Sequence, residues 1–199
     1  MPIKTDTKQK IILAAIELFS QNGYHETSVR DIAKLVGIKD CSLYSHFTSK
    51  EQILGAILDY YQNEMDKMWQ AEQTTSSTDP EALLAQTIQR FKTLNAPTPM
   101  DKIGRLLLLE MYRNEKVSQF YYRWKFNEYR SAVQKVFEEL QQAGKLKPLD
   151  PEFLASLYQA LANYFYHEYY LLKTNHQDLA DFETRIQSQF QMFLELIRV

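Results

Sequence analysis

The chain has 199 residues, 45% of them hydrophobic and 24% charged, with a formal net charge of −2. That balance fits a folded globular protein and argues against a disordered chain or a non-specific nucleic-acid coat. No apolar run is long enough to span a bilayer, the first ten residues lack the apolar core of a signal peptide, and the single cysteine, Cys41, permits no internal disulfide; a cytoplasmic protein without membrane contact is expected.

In chain order, helical spacing of apolar residues predicts nine helices, over about 5–22, 28–35, 39–45, 49–72, 80–95, 101–113, 115–143, 151–173 and 178–197, with no strand. The fold class is therefore all-α. In the first helix Ile12, Ile16 and Phe19 share a face, with Ile11, Ala15 and Leu18 beside them. Residues 28–45 form two short helices around Gly37, which suits a left-handed helix end. Ile32, Ala33, Val36, Ile38 and Leu43 are placed to pack inward, the pattern of a helix-turn-helix whose second helix enters the major groove. A helical hairpin that only contributes core is the alternative at this level. Ser49-Lys50-Glu51-Gln52 reads as a capping box that opens the fourth helix. Thr74 to Thr78 is a polar loop. Asp79-Pro80-Glu81 and Asp150-Pro151-Glu152 each set a cap acceptor before a first-turn proline, and Asp178 is placed to cap the last helix.

Charge is unevenly spread. Residues 1–50 hold seven Lys/Arg against five acids, and the remainder holds 16 against 20. A mildly basic head on an acidic body suits a protein that presents one end to phosphate. The body is rich in aromatic residues: Phe120, Tyr121, Tyr122, Trp124, Phe126 and Tyr129 fall within ten positions. Tyr122-Phe126-Tyr129-Val133-Phe137-Leu140 reads as one buried stripe. The eighth helix carries two apolar rows, Leu157-Leu161-Tyr164 and Leu154-Tyr158-Phe165-Leu172. The ninth carries Phe182-Ile186-Phe193-Ile197 with Phe190 and Leu194. No phosphate loop, metal-ligand cluster or nucleophile motif is present in the sequence, so an enzyme, a metal and a cofactor are not expected.

Gly23-Tyr24, Thr27-Ser28-Val29-Arg30-Asp31-Ile32-Ala33, Gly37-Ile38, Ser42-Leu43-Tyr44-Ser45-His46-Phe47 and Ser49-Lys50-Glu51 resemble the N-terminal signature of the tetracycline-repressor (TetR) family over about residues 8–58. The resemblance implies a DNA-binding domain over residues 1–48 and a ligand-binding and dimerisation domain over 49–199. It implies that Tyr44 reaches phosphate or a thymine methyl, that His46 touches phosphate, and that Lys50 clamps phosphate at a helix N-terminus. Thr27 and Ser28 would cap the second helix, with Arg30 on its exposed side. Lys39, Asp40, Cys41 and Ser42 open the recognition helix; Lys39 suits guanine and Asp40 suits cytosine. The sequence departs from the family's pattern at Lys39, which cannot accept a capping hydrogen bond, so the cap passes to Asp40 or is lost. It departs again at Cys41, where the family has another small residue.

The resemblance also implies a cavity among the later helices and pairing through the last two. Candidate ligand contacts are Phe91, Met111, Tyr112, Trp124, Tyr158 and Tyr166, with Asn163 and His167 as polar anchors. They suit a lipophilic or aromatic small molecule. Candidate dimer contacts are Leu157, Leu161, Tyr164, Phe182, Ile186, Phe190 and Phe193. The expectation is a homodimeric repressor on double-stranded, palindromic operator DNA, released when a ligand shifts the fourth helix. A ligandless nucleoid or cell-division factor on the same fold is the alternative.

Overall fold

The computed structural model describes residues 6–74, 79–96 and 98–199. Among them run nine helices: α1 Thr7–Asn22, α2 Val29–Val36, α3 Asp40–Tyr44, α4 Lys50–Thr74, α5 Pro80–Asn95, α6 Pro99–Glu110, α7, α8 Pro151–Thr174 and α9 Ala180–Ile197. Helix α7 is continuous through three segments, Glu115–Tyr122, Arg123–Tyr129 in π geometry, and Arg130–Gln142. No strand forms among the described residues; Leu146 and Arg198 make an isolated bridge. Of the expected polar loop, residues 75–78 lie outside the described residues, as does residue 5 at the expected start of α1.

The chain divides into two compact units. One takes the residues up to Ala71 with Ala96–Tyr121, the other Glu72–Asn95 with Tyr122–Val199. Packing thus groups the helices differently from the split expected at residue 48: α6 and most of α4 belong with α1–α3.

In the first unit, α1 buries Ile11, Ala15, Ile16 and Phe19 against Ile32, Ala33, Leu43 and Phe47 from the next two helices and the turn after α3. Ile12 and Leu18 lie at the edge of that face rather than at its centre. Ile53, Leu54 and Ile57 of α4 and Ile103, Leu106 and Leu107 of α6 complete the core. Helix α3 has only five residues, too few to hold itself. Fully buried Leu43, with Phe47 just beyond the helix, fixes its position.

In the second unit an aromatic core runs through Phe137, Tyr158, Phe165, Phe182 and Phe190, linked by edge-on contacts such as Tyr158–Phe190 at 5.3 Å. The Tyr158 hydroxyl pairs with Thr87 of α5. Asp150 caps α8 through the Glu152 N–H at 3.2 Å, and Asp178 accepts from the Ala180 N–H at 2.9 Å at the start of α9.

Two sequence expectations fail here for physical reasons. The stripe from Tyr122 to Leu140 is buried only in its second half: Tyr122 is 62% exposed and Phe126 38%. Hydrogen bonding in the π segment inserts one extra residue per turn, so the inward face steps from Trp124 to Tyr129. Trp124 and Lys125 are buried in place of Tyr122 and Phe126. The second correction concerns pairing. Phe182, Ile186 and Phe190 are each 1% exposed inside their own unit, so they cannot form a surface for a partner.

Candidate nucleic-acid interface and ligand site

Two local devices fix the helix-turn-helix. Ser28 begins α2 with a reciprocal capping box: its Oγ accepts from the Asp31 N–H at 3.2 Å, and the Asp31 carboxylate accepts from the Ser28 N–H at 2.9 Å. The Ser28 hydroxyl, donating to the Asp31 carboxylate at 2.6 Å, and then the Ser28 N–H hold that carboxyl below the usual carboxylate range. Gly37 ends α2 with φ 78 and ψ 32, and both its N–H and that of Ile38 return to the Ala33 carbonyl at 3.0 Å. A residue with a Cβ there would be strained.

The turn leaves one face of the head open. Arg30, Lys39, Cys41, Ser42, Tyr44 and His46 are exposed, Tyr44 at 51%. These side chains are held by a rigid core yet have few partners of their own. Asp40 forms an ion pair with Arg30 at 3.4 Å instead of capping α3, and Lys39, at the cap position, makes no side-chain cap bond. The recognition helix therefore starts without a side-chain cap. The Arg30–Asp40 pair is well exposed and adds little to the stability of the head.

Thr27 and Lys50 have other employment. Thr27 is 2% exposed and its hydroxyl donates to the Gly23 carbonyl at 2.9 Å, so Ser28 alone caps α2. Lys50 turns inward, and its Nζ donates to the carbonyls of Tyr24 at 2.8 Å and Thr27 at 2.9 Å while lying 4.4 Å from the Tyr24 ring centroid. Burial pushes its pKa down, and the charges of Glu110 and Glu26 pull it back up. Glu110, 3% exposed, accepts from the Tyr24 N–H at 2.9 Å. Lys50 and Glu110 together staple the turn over residues 23–27, so here the Lys50 ammonium is bonded within the chain and not turned to the open face. The Ser49 cap forms, with the Gln52 N–H donating to its Oγ at 3.1 Å, but the Gln52 side chain reaches back to the Thr48 N–H rather than to that of Ser49.

The candidate ligand contacts separate into three groups. Phe91 and Tyr158 are core, Phe91 lying edge-on to Phe165 at 6.2 Å. Tyr112 is 88% exposed and, like Met111, belongs to the first unit. An open groove of about 610 Å³ in that unit, lined by Tyr24, Glu51, Arg113 and Lys116 among others, contains none of the candidates. Trp124, Tyr166 and His167 do come together in the second unit, around a residue that sequence reasoning passed over. That residue is Lys125, 9% exposed, with its Nζ 5.4, 4.8 and 5.8 Å from the ring centroids of Trp124, Tyr129 and Tyr166. Burial, then the nearby Arg90 charge, pushes its pKa down to about 8. Burial and the Lys125 charge lower that of His167. The Lys125 carbonyl, in the π segment, accepts from the Gln159 side chain at 2.6 Å. A lysine set directly between Trp124 and Phe126 was the available sequence signal. Asn163, half-buried, keeps its side-chain oxygen shielded without a hydrogen-bond partner.

On the expected pairing surface, Leu157 is 43% and Tyr164 55% exposed, while the other row of α8 faces the core through Leu154, Tyr158 and Phe165. Exposed Leu171 lies further along α8, and Met192 and Leu196 are exposed on α9. No helix of the described residues is long and apolar enough to cross a membrane.

Residues 11–57 match the family of bacterial regulatory proteins described as tetR, and residues 82–196 match the C-terminal domain of AefR-like transcriptional repressors. The chain is 30% identical over 121 residues to the uncharacterized HTH-type transcriptional regulator YerO of Bacillus subtilis, covering 59% of this chain and 41% of that one. It is 52% identical over 60 residues to IcaR of Staphylococcus aureus, the negative transcriptional regulator of the biofilm operon icaADBC, covering 28% and 32%. These matches thus span well under half of each relative. A TetR transcriptional regulator from Chloroflexus aurantiacus superposes with TM-score 0.80 at 18% identity, covering 97% and 96%. SmeT, in complex with triclosan, superposes with TM-score 0.78 at 20% identity, covering 97% and 92%.

Proposed function

The chain belongs to the tetR family of bacterial regulatory proteins, and on that premise we propose that it is a cytoplasmic, homodimeric repressor that leaves a palindromic operator when a small molecule binds. The observation that carries the DNA-binding part is the exposed face of α3 and its flanks, where Lys39, Ser42, Tyr44 and His46 stand on an anchor of Leu43 and Phe47. Tyr44 and His46 touch backbone phosphates, and Lys39, Cys41 and Ser42 meet base edges. Arg30 supports that face once DNA separates it from Asp40. The likeness to IcaR, a negative regulator, favours repression over activation.

Two such heads must stand about 34–36 Å apart to enter successive major grooves. Exposed Leu157 and Tyr164 of α8, with half-buried Leu161 between them, support pairing of two copies. The complex of SmeT with triclosan supports a ligand-responsive body over the ligandless reading. Regulation rather than turnover is the activity proposed.

The test is a gel shift with DNA from upstream of the protein's own gene. Wild type binds at nanomolar to micromolar concentration, and Tyr44→Ala weakens binding at least tenfold while light scattering still gives a dimer. Equal affinity of the variant removes Tyr44 from the interface. Failure of wild type to bind at low salt refutes the repressor reading.

A further inference from the structure

Lys125 is a buried ammonium that no carboxylate among the described residues pairs with. Its surroundings are the faces of Trp124, Tyr129 and Tyr166, and the nearby charge is a second cation, Arg90. Arg90 donates to the Tyr129 hydroxyl at 2.9 Å and lies 5.8 Å from the same ring that Lys125 faces at 4.8 Å. Removing an ion from water costs several kcal/mol, and ring faces return only part of that. The fold retains this cost at the π segment of α7, the kind of helix irregularity that gathers at functional sites.

We propose that the small molecule this unit accepts is an organic acid, whose carboxylate pairs with the Lys125 ammonium beside Arg90 while its apolar body lies against Trp124 and Tyr166. The proposal rests on the reading of the chain as a ligand-responsive repressor and specifies the chemistry of that ligand. A carboxylate arriving here meets an ammonium that no acid of the described residues already holds, with a second cation beside it. A charge-assisted bond out of water is the strongest that a lysine offers. An aromatic cage of this composition usually receives a cation from the ligand. Here the protein's own lysine fills it, so a quaternary ammonium ligand is repelled and an acid is selected. A lysine, as a point charge with three rotatable donors, sets position without the planar fork that an arginine would impose.

The test is calorimetric titration of the full-length protein with octanoate, decanoate and 3-phenylpropanoate, each against its primary alcohol, and with decyltrimethylammonium. In wild type at least one acid binds tenfold or more tightly than its alcohol, and the cation binds more weakly than either. Lys125→Met erases the preference between acid and alcohol, and Lys125→Arg keeps part of it; circular dichroism verifies that both variants are folded. Three results overturn the proposal: alcohols that match every acid in wild type, no binding by any acid of the set, or a preference that survives Lys125→Met. A parallel gel shift on the upstream DNA without additives tests the repressor reading alone, so loss of DNA binding with the acid preference intact refutes that reading and not the site.

Discussion

The turn that holds Lys50 and the π segment that holds Lys125 both draw a lysine ammonium out of bulk water, and they compensate it in opposite ways. Around Lys50 the chain supplies full-strength acceptors, the carbonyls of Tyr24 and Thr27, and the Glu110 charge. Around Lys125 it supplies ring faces and a second cation. A charge bonded within the chain organises structure; a buried one with no acid beside it costs stability, and groups so perturbed cluster at functional sites. The difference separates a lysine that builds the DNA-binding head from one that waits for a partner.

The contrast can be broken at either end. The largest effect is expected at Lys125. With its pKa at about 8 in the folded chain against 10.5 for an ordinary lysine, the protonated side chain costs about 3 kcal/mol at pH 7. Lys125→Met should raise stability in urea by up to that amount. Between pH 8 and 10.5 the unfolded chain holds more protons than the folded one, so wild type gains stability as pH rises, and the advantage of Lys125→Met fades. Urea melts at pH 7 and pH 10 measure both. A destabilised Lys125→Met would mean that its surroundings compensate the charge after all.

Lys50→Met should act in the other direction. Losing its bonds to two carbonyls leaves acceptors unpaired and costs about 2 kcal/mol, with weaker DNA binding following from a looser turn over residues 23–27. If stability holds while DNA affinity falls, Lys50 contacts phosphate directly and the staple is incidental. Glu110→Gln, which keeps an acceptor for the Tyr24 N–H but removes the charge, should cost about 1 kcal/mol by thermal melt. The smallest effect belongs to Arg30→Ala. Its exposed pair with Asp40 should change stability by less than about 0.5 kcal/mol, and the gel shift then shows whether the freed Asp40 strengthens or weakens operator binding.

Features that depend on near neighbours along the chain are legible in the sequence itself. The left-handed Gly37, the caps at Ser49 and Asp150, and the helix bounds to within a few residues follow from local chemistry. So does the loss of a side-chain cap at Lys39. What escapes such reading depends on contacts across the fold or on a change of helical pitch. Thr27 and Ser28 are adjacent polar residues, and only the backbone path decides that one is buried and the other caps. A stripe through Tyr122 and Phe126 assumes a constant α-helical period, which the π segment breaks. The same break hides Lys125, whose one-residue displacement turns it inward. Phe182, Ile186 and Phe190 follow a faultless helical pattern, but periodicity names an apolar face without saying whether the same chain or another covers it.

Helix α3 begins without a capping side chain, and the single residue that moors it from within, Leu43, points away from the open face. None of Lys39, Cys41, Ser42 or Tyr44 is therefore required for the head to fold. Selection can rewrite these positions for a new target sequence while the scaffold stays indifferent, so changes in operator preference should come cheaply in this head and leave its melting temperature nearly where it was.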